Sequence, residues 1–294
     1  MRTFEYHAPQ TLDEAVRLLK DAGGTARPLA GGTDLVVQMK ERATRFPYPG
    51  TIVSLDRVAE LRGVAFSEAD GLRIGAGTTM ADVAADPSVR ERYPALAEGA
   101  GVVGSLQTMN MATIGGNVCN AAPSADAVPA LLVYEAAAVI AGPDGRRGVP
   151  IAEFFRGPGL TILGPDELLA ELALPIPPAH TGATYERNTP RKQMDIAVIS
   201  VAVALTLAGE TIERARVALG AVAPTPVRAT NAEAALQGQP ATEATFAAAA
   251  EAAAAQDCTP ITDIRASAEY RRHLVRVMTG RLLAEAAGNA RGSP

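Results

Sequence analysis

The sequence predicts an α+β protein built in two parts, and three observations carry that expectation. From Phe4 to Ser54 the chain alternates short strand-like and helix-like segments. Three prolines, Pro175, Pro177 and Pro178, then make the sharpest break in the chain. Beyond them, apolar strand-like runs give way to alanine-rich helices, the texture of a small antiparallel sheet covered by helices. A chain of 294 residues is long enough for two domains with separate cores. With 48% hydrophobic residues, only 4% aromatic and no Trp, those cores are built from Ala, Val, Leu and Ile.

Taken in order, Phe4, Tyr6 and His7 read as a short strand stopped by Pro9. Thr11 then caps a helix, and Glu14 three residues on completes a capping box. Ala15, Leu18 and Leu19 recur at helical spacing, and Gly23-Gly24 ends the run. Thr25–Leu29 reads as a strand, Leu35–Lys40 as a short helix and Thr51–Ser54 as a strand. Leu61–Phe66, Leu72–Gly75 and Thr78–Met80 read as hairpin strands and a turn, and Asp82–Ala85 and Ala95–Val103 as helical. Asp126–Tyr134 is a helix or buried segment. Ala137–Ala141 is a strand, and Pro143-Asp144-Gly145 turns it back into Arg147–Pro150. Leu168–Leu174 alternates as a strand before the prolines. After them, Thr184–Asn188, Ile199–Ala208 and Ile212–Ala221 read as strands, the last two joined at Gly209-Glu210. Glu233–Leu236 starts a small helix, Thr245–Gln256 is helical by propensity, and Arg265–Ala287 is a long amphipathic helix. Its expected core positions are Tyr270, Leu274, Val277 and Leu282, and Gly288–Pro294 is expected to fray. The domains are therefore expected at 1–177, with parts at about 1–55 and 56–177, at 178–288, and as a tail at 289–294.

Several function classes are poor fits. The net charge is −5 with dispersed positive residues, so no nucleic-acid partner is expected. Cys119 and Cys258 are too few and too far apart for a metal site, and each reads as a buried free thiol. With His7, His180 and His273 also scattered, neither zinc nor a four-cysteine iron–sulfur cluster is expected in this chain. MRTFEYHAPQ has no apolar run after its basic residue, so no secretory signal and a cytoplasmic location are expected. The apolar runs Ala127–Gly142 and Ile196–Leu207 fall short of a membrane span and read as core elements.

Two glycine-rich stretches stand out. The longer one, Gly104–Asp126, sets Gly115-Gly116 among Ser105, Thr108, Asn110, Thr113, Asn117 and Asn120. Small polar side chains and clustered N–H groups of this kind suit phosphate oxygens. They also occur in ordinary loops. Interleaved Val102, Leu106, Met109, Ile114 and Val118 imply packing on both sides, and a bound cofactor is one way to satisfy a buried polar loop. The shorter stretch is Leu29-Ala30-Gly31-Gly32-Thr33-Asp34-Leu35. It lacks the spacing of a dinucleotide fingerprint and the Lys-Ser/Thr of a P-loop.

Together the two stretches could surround a pyrophosphate. Ala30–Thr33 would supply amides and the Thr33 hydroxyl, with Gly115–Asn117 and Ser124 as the opposite wall. Asp34 and Asp126 fit helix caps better than acid catalysts. In Arg191-Lys192-Gln193-Met194-Asp195, Lys192 could lean over a cofactor ring with Asp195 holding it by a salt bridge, or the segment is a solvated turn. No Ser/His/Asp constellation is present, so a redox cofactor would have to supply the chemistry.

The same residues carry a family resemblance. Leu29–Leu35, Gly75-Ala76-Gly77-Thr78-Thr79 and Asn110–Asn117 resemble the FAD-binding medium subunit of the molybdenum hydroxylases, enzymes of the xanthine dehydrogenase, carbon monoxide dehydrogenase and aldehyde oxidoreductase type. Ala121–Asp126, Arg191–Asp195 leading into Ile196–Ala204, and Arg265–Arg272 resemble that family as well, so the likeness runs over nearly the whole chain. It implies a two-lobed FAD-binding domain of the vanillyl-alcohol-oxidase/PCMH type, followed by the small antiparallel-sheet-plus-helices domain closing over the flavin. It also implies that Ala30–Asp34 and Thr113–Asn117 bind the pyrophosphate, with Thr78, Ser105 and Asn110 supporting. Ser124 and Asp126 would lie toward the adenosine and ribitol, and Lys192 near the isoalloxazine. Thr33-Asp34 stands where the family commonly has His-Ser or Thr-Ser, so Asp34 is expected to turn from the phosphates and cap the next helix.

The implied partners are a molybdenum-pterin large subunit and a small subunit with two [2Fe-2S] clusters, a dimer of heterotrimers being one implied assembly, with NAD, oxygen, a quinone or another carrier accepting electrons. The two cysteines set the chain apart from the hydroxybenzoyl-CoA reductase branch, whose subunit carries an extra iron–sulfur insertion. Two other classes compete: a free-standing PCMH-like flavin oxidase acting directly on a small substrate, and a scaffold that has lost its nucleotide.

Overall fold

The computed structural model describes residues 2–41, 47–191 and 193–292. The chain starts with strand β1 (Glu5–His7) and helix α1 (Leu12–Asp21). Thr11 Oγ1 accepts from the Glu14 N–H at 3.2 Å, and the Glu14 carboxylate reaches back to the N–H of Gln10 at 3.0 Å. Strand β2 (Ala26–Leu29), helix α2 (Leu35–Glu41) and strand β3 (Thr51–Ser54) complete the first lobe. Its sheet is parallel, with β3 between β1 and β2. The apolar face of α1 buries Leu12, Ala15, Val16 and Leu19 against Ala26 and Val53, and also against Ala141, Leu168 and Ala170 of the next sheet. The first lobe thus has no closed core of its own.

The second lobe opens with β4 (Val64–Ser67) and β5 (Gly71–Gly75). Leu61, expected in a strand, ends a short 3-10 turn instead. Met80, expected at the end of the strands and turn, begins α3 (Met80–Ala85), because Thr79 caps that helix through the Asp82 N–H. Asp86 caps α4 (Pro87–Arg92), and α5 (Pro94–Gly101) follows. The stretch expected as one long loop contains α6 (Leu106–Met109) and α7 (Ile114–Cys119) before α8 (Ala127–Val133). Strands β6 (Ala137–Gly142), β7 (Gly145–Pro150), β8 (Phe155–Gly157), β9 (Leu160–Thr161) and β10 (Leu168–Leu174) complete the lobe. The main sheet runs β4-β5-β10-β6-β7, so β10 returns to the middle after the helices have been laid down.

Past the proline linker, β11 (Thr181–Asn188), β12 (Ile199–Ala208), β13 (Thr211–Gly220) and β14 (Val227–Arg228) form an antiparallel sheet in sequence order. Helices α9 (Thr230–Leu236), α10 (Glu243–Gln256) and α11 (Ala268–Gly292) cover one face. Successive side chains point to opposite faces. Ala202 and Ala204 of β12 therefore join the core of the second lobe, while Val201, Val203 and Leu205 pack under α10 and α11. That two-sided burial accounts for the continuous apolar run.

In α11 the expected core register is half right. Leu274 and Leu282 are buried, but Tyr270 and Val277 are each 49% exposed, and Val275, Met278 and Leu283 take the core face. The helix also runs through Gly288 to Gly292, where fraying was expected. Ser293 and Pro294 lie outside the described residues. Cys258 is buried and Cys119 half-buried, both as free thiols. Among the described residues no helix is long and apolar enough to cross a membrane.

Candidate flavin site

The two glycine-rich stretches meet. A Cβ on Gly31 would lie 1.8 Å from the carbonyl oxygen of Met111, so only glycine lets the first stretch rest directly on the second. The third motif is locked beneath them. Gly115 N–H donates to the Ala76 carbonyl at 2.8 Å and Ile114 N–H to that of Thr78 at 3.0 Å, while Met80 N–H donates to the Ala112 carbonyl at 2.8 Å. A Cβ on Gly115 would come within 2.6 Å of Ala76 Cβ and O. Residues separated by most of a domain in sequence therefore form one unit built from backbone packing.

Within that unit the donors divide unevenly. Among the described residues the N–H groups of Gly31, Gly32 and Thr33 and the hydroxyls of Thr33 and Ser124 have no hydrogen-bond partner. Leu29–Thr33 and Leu35 are half-buried, and Asp34 is exposed just before α2, its carbonyl accepting from Gln38 N–H at 2.9 Å. The second stretch is different from what its composition implied. Gly115 N–H is taken by Ala76, Gly116 N–H by Thr113 Oγ1 at 3.0 Å, and Asn117 N–H by the Thr113 carbonyl at 3.0 Å. Its amides are not the open wall expected from the sequence, because they form the first turn of α7. What it offers instead is the Asn117 Oδ1, which is buried without a partner. A buried acceptor left bare is costly unless a ligand or water donates to it.

Three expected supporting side chains hold the protein rather than open onto a ligand. The buried Thr78 hydroxyl accepts from Gly63 N–H at 2.9 Å and donates to the Gly63 carbonyl at 3.0 Å. Ser105 caps α6 through the Thr108 N–H, and the Asn110 side-chain amide donates to the Leu106 carbonyl at 2.8 Å. Asp126, expected as a helix cap, makes no side-chain cap to α8. Its carboxylate accepts from Tyr185 Oη at 2.7 Å and from Arg187 Nη1 at 2.9 Å, tying the second lobe to β11. Burial raises the Asp126 carboxyl to about 6, with the Arg187 charge and the Tyr185 hydrogen bond opposing the rise.

Tyr185 and Arg187 were missed as site residues. They alternate on one face of a strand, which is visible in sequence, but their partner is not. Arg187 also donates to the Asp195 carbonyl at 3.2 Å, and its buried Nη2 has no partner among the described residues. The Asp195 carboxylate pairs with Arg191 at 3.2 Å. Lys192, expected as its partner, lies outside the described residues. The loop is seated on the second lobe through Met194 N–H and the Gly104 carbonyl, 3.2 Å apart.

This arrangement has known counterparts. Residues 2–177 match the FAD binding domain in molybdopterin dehydrogenase, and residues 184–286 match the CO dehydrogenase flavoprotein C-terminal domain. The chain belongs to the FAD-binding medium-subunit family of the molybdenum hydroxylases. A putative xanthine dehydrogenase FAD-binding subunit of Escherichia coli (strain K12) is 38% identical over 98% of this chain and 97% of its own length. The carbon monoxide dehydrogenase medium chain of Hydrogenophaga pseudoflava is 38% identical over 95% and 96%. The solved carbon monoxide dehydrogenase of that organism, in a form lacking the Mo-pyranopterin moiety of its molybdenum cofactor, superposes with a TM-score of 0.89 over 99% of this chain and 98% of that one. The fold class is thus that of the medium subunits: a FAD-binding domain followed by a small antiparallel-sheet domain.

The residues present fit that cofactor. Neutral amides and hydroxyls held on a rigid backbone suit a diphosphate, and the bare Asn117 oxygen suits a donor from the same ligand.

Proposed function

We propose that this flavoprotein takes electrons from [2Fe-2S] clusters on a partner subunit and passes them through FAD to NAD, oxygen, a quinone or another acceptor. The substrate would be oxidised at a molybdenum centre on a large subunit, in a dimer of heterotrimers in the cytoplasm. When bound, FAD supplies two-electron storage and release, which no side chain here can provide. The contact of Gly31 with Met111 carries this reading, since it sets the open amides directly beside the second stretch, where one long ligand would meet both.

In this reading Leu29, Ala30 and Leu35 shape the first turn, and Gly31, Gly32 and Thr33 donate to the diphosphate. Asp34 turns toward α2. Thr113, Gly115 and Gly116 hold the second wall, with Thr78, Ser105 and Asn110 bracing it from behind. Asn117 and Ser124 contact the ligand directly. Asp126 positions Arg187, and Lys192 approaches the ring. Residues 1–177 form the FAD-binding domain, in lobes at about 1–55 and 56–177, and residues 178–288 form the domain that closes over it. The test is reconstitution of the purified chain with FAD, followed by reduction with and without a reduced [2Fe-2S] subunit. Flavin that is reduced only when the iron–sulfur protein is present supports the relay role. Direct reduction by alcohols, lactones or sugars would replace it with the free-standing oxidase.

A further inference from the structure

A cavity with an apolar wall and a cluster of charged and hydroxyl groups lies where the proline linker meets the C-terminal sheet. It has a volume of about 180 Å³ and is lined by the Pro175–Pro178 linker and Tyr134 on one side and by the antiparallel sheet on the other. Thr181, Thr206 and Arg214 are lateral partners across three strands and so share one face, and Arg216, two residues from Arg214, shares it too. The Thr181 and Thr206 hydroxyls lie 2.7 Å apart. Glu135, held at a positive φ of 52°, projects among three guanidinium groups, those of Arg214, Arg216 and Arg228. Arg228 is itself shared with Glu233.

The donors exceed what Glu135 can use. Arg216 reaches Glu135 through Nε and the Ala215 carbonyl through Nη1, while Arg214 reaches Glu135 through Nη2. Among the described residues, Arg214 Nε and Nη1 and Arg216 Nη2 donate to no protein acceptor. The five charges sum to one positive, and these arginines pull the Glu135 carboxyl below its ordinary range despite burial. The space is too small for a drug-sized ligand but holds a small anion with some remaining solvent.

We propose that this cavity is a binding site for a small oxyanion of the phosphate or carboxylate class, which accepts from Arg214, Arg216 and the one hydroxyl proton that the Thr181–Thr206 pair leaves free. Tetrahedral or planar oxygens match the forked donors of two adjacent guanidiniums, which chloride cannot. The site is independent of the flavin reading.

The test is thermal melting of the FAD-saturated protein in sodium phosphate against sodium chloride at equal ionic strength, which keeps phosphate from acting through the flavin crevice. Phosphate at many times its dissociation constant raises Tm by roughly 2 to 4 °C over chloride. Arg214→Gln, which leaves Glu135 paired with Arg216 and Arg228, abolishes that difference while flavin absorbance stays at the wild-type level. Thr181→Val leaves every ion pair intact and reduces the difference by about half, so the site can be judged even if Arg214→Gln folds poorly. Citrate or acetate in place of phosphate separates the carboxylate from the phosphate source. No phosphate-specific shift in the wild type, or an equal shift in both variants, overturns the proposal.

Discussion

The two glycine-rich stretches look alike in sequence and do opposite things in the structure. Among the described residues Gly31–Thr33 leaves its amides without protein partners, while Ile114–Asn117 commits its amides to Thr78, Ala76 and the first turn of α7. Both need glycine, but for different contacts. Gly31 lets two loops touch, whereas Gly115 lets a helix start lie on the turn beneath it. Glycine content therefore marks close backbone approach, and only the hydrogen bonds tell which side faces a ligand.

Substitution can break or sharpen that contrast. Gly31→Val pushes a side chain into the Met111 carbonyl and should lower FAD affinity by about a hundredfold or more, since several amide bonds are misplaced at once. Flavin absorbance and far-ultraviolet circular dichroism together read it: the flavin is lost and the fold kept. Gly115→Val should also lose flavin, but it additionally costs about 1–3 kcal/mol in urea unfolding, because Ala76 and α7 must move apart. If Gly31→Val retains flavin, the open stretch is not the diphosphate cradle.

Asp126 tests the joint between the domains rather than either stretch. Its folded carboxyl titrates at about 6, above its ordinary 3.8, so between these values the native state holds the proton that the unfolded state has released. Its contribution is fully present below about pH 4 and lost as pH rises to about 6, a swing of at most roughly 3 kcal/mol. Asp126→Asn should flatten the urea-midpoint profile across that window; an unchanged profile would place the titration elsewhere.

The smallest effects separate the stretches most cleanly. Thr113→Ala removes a helix cap and should cost about 1 kcal/mol of stability with little change in FAD affinity. Thr33→Val should leave stability alone and weaken FAD by about threefold to tenfold, the worth of one hydrogen bond. Calorimetric titration with FAD and urea unfolding of both variants give the two readouts. A reversed pattern would exchange the roles assigned to the stretches.

The local chemistry was legible from the residues alone. The cap at Thr11 is made within a few residues of the capping side chain, and so are the turns at Gly23-Gly24 and Gly145. Their partners are fixed by spacing along the chain. The α11 register was less readable, because alanines and one arginine that reach the core gave the helix no clear apolar stripe. Arg271 is buried there, donating to the Val198 and Ala221 carbonyls, where a basic residue on a helix reads as solvated.

By itself the sequence determined the α+β class and the family, since each depends on short-range pattern or motif. Only the tertiary structure decided that Thr78 serves Gly63, that Asp126 belongs to Tyr185 and Arg187, and which amides stay open. Those outcomes depend on acceptors contributed by distant strands, and a donor's availability is set by whatever the fold brings beside it.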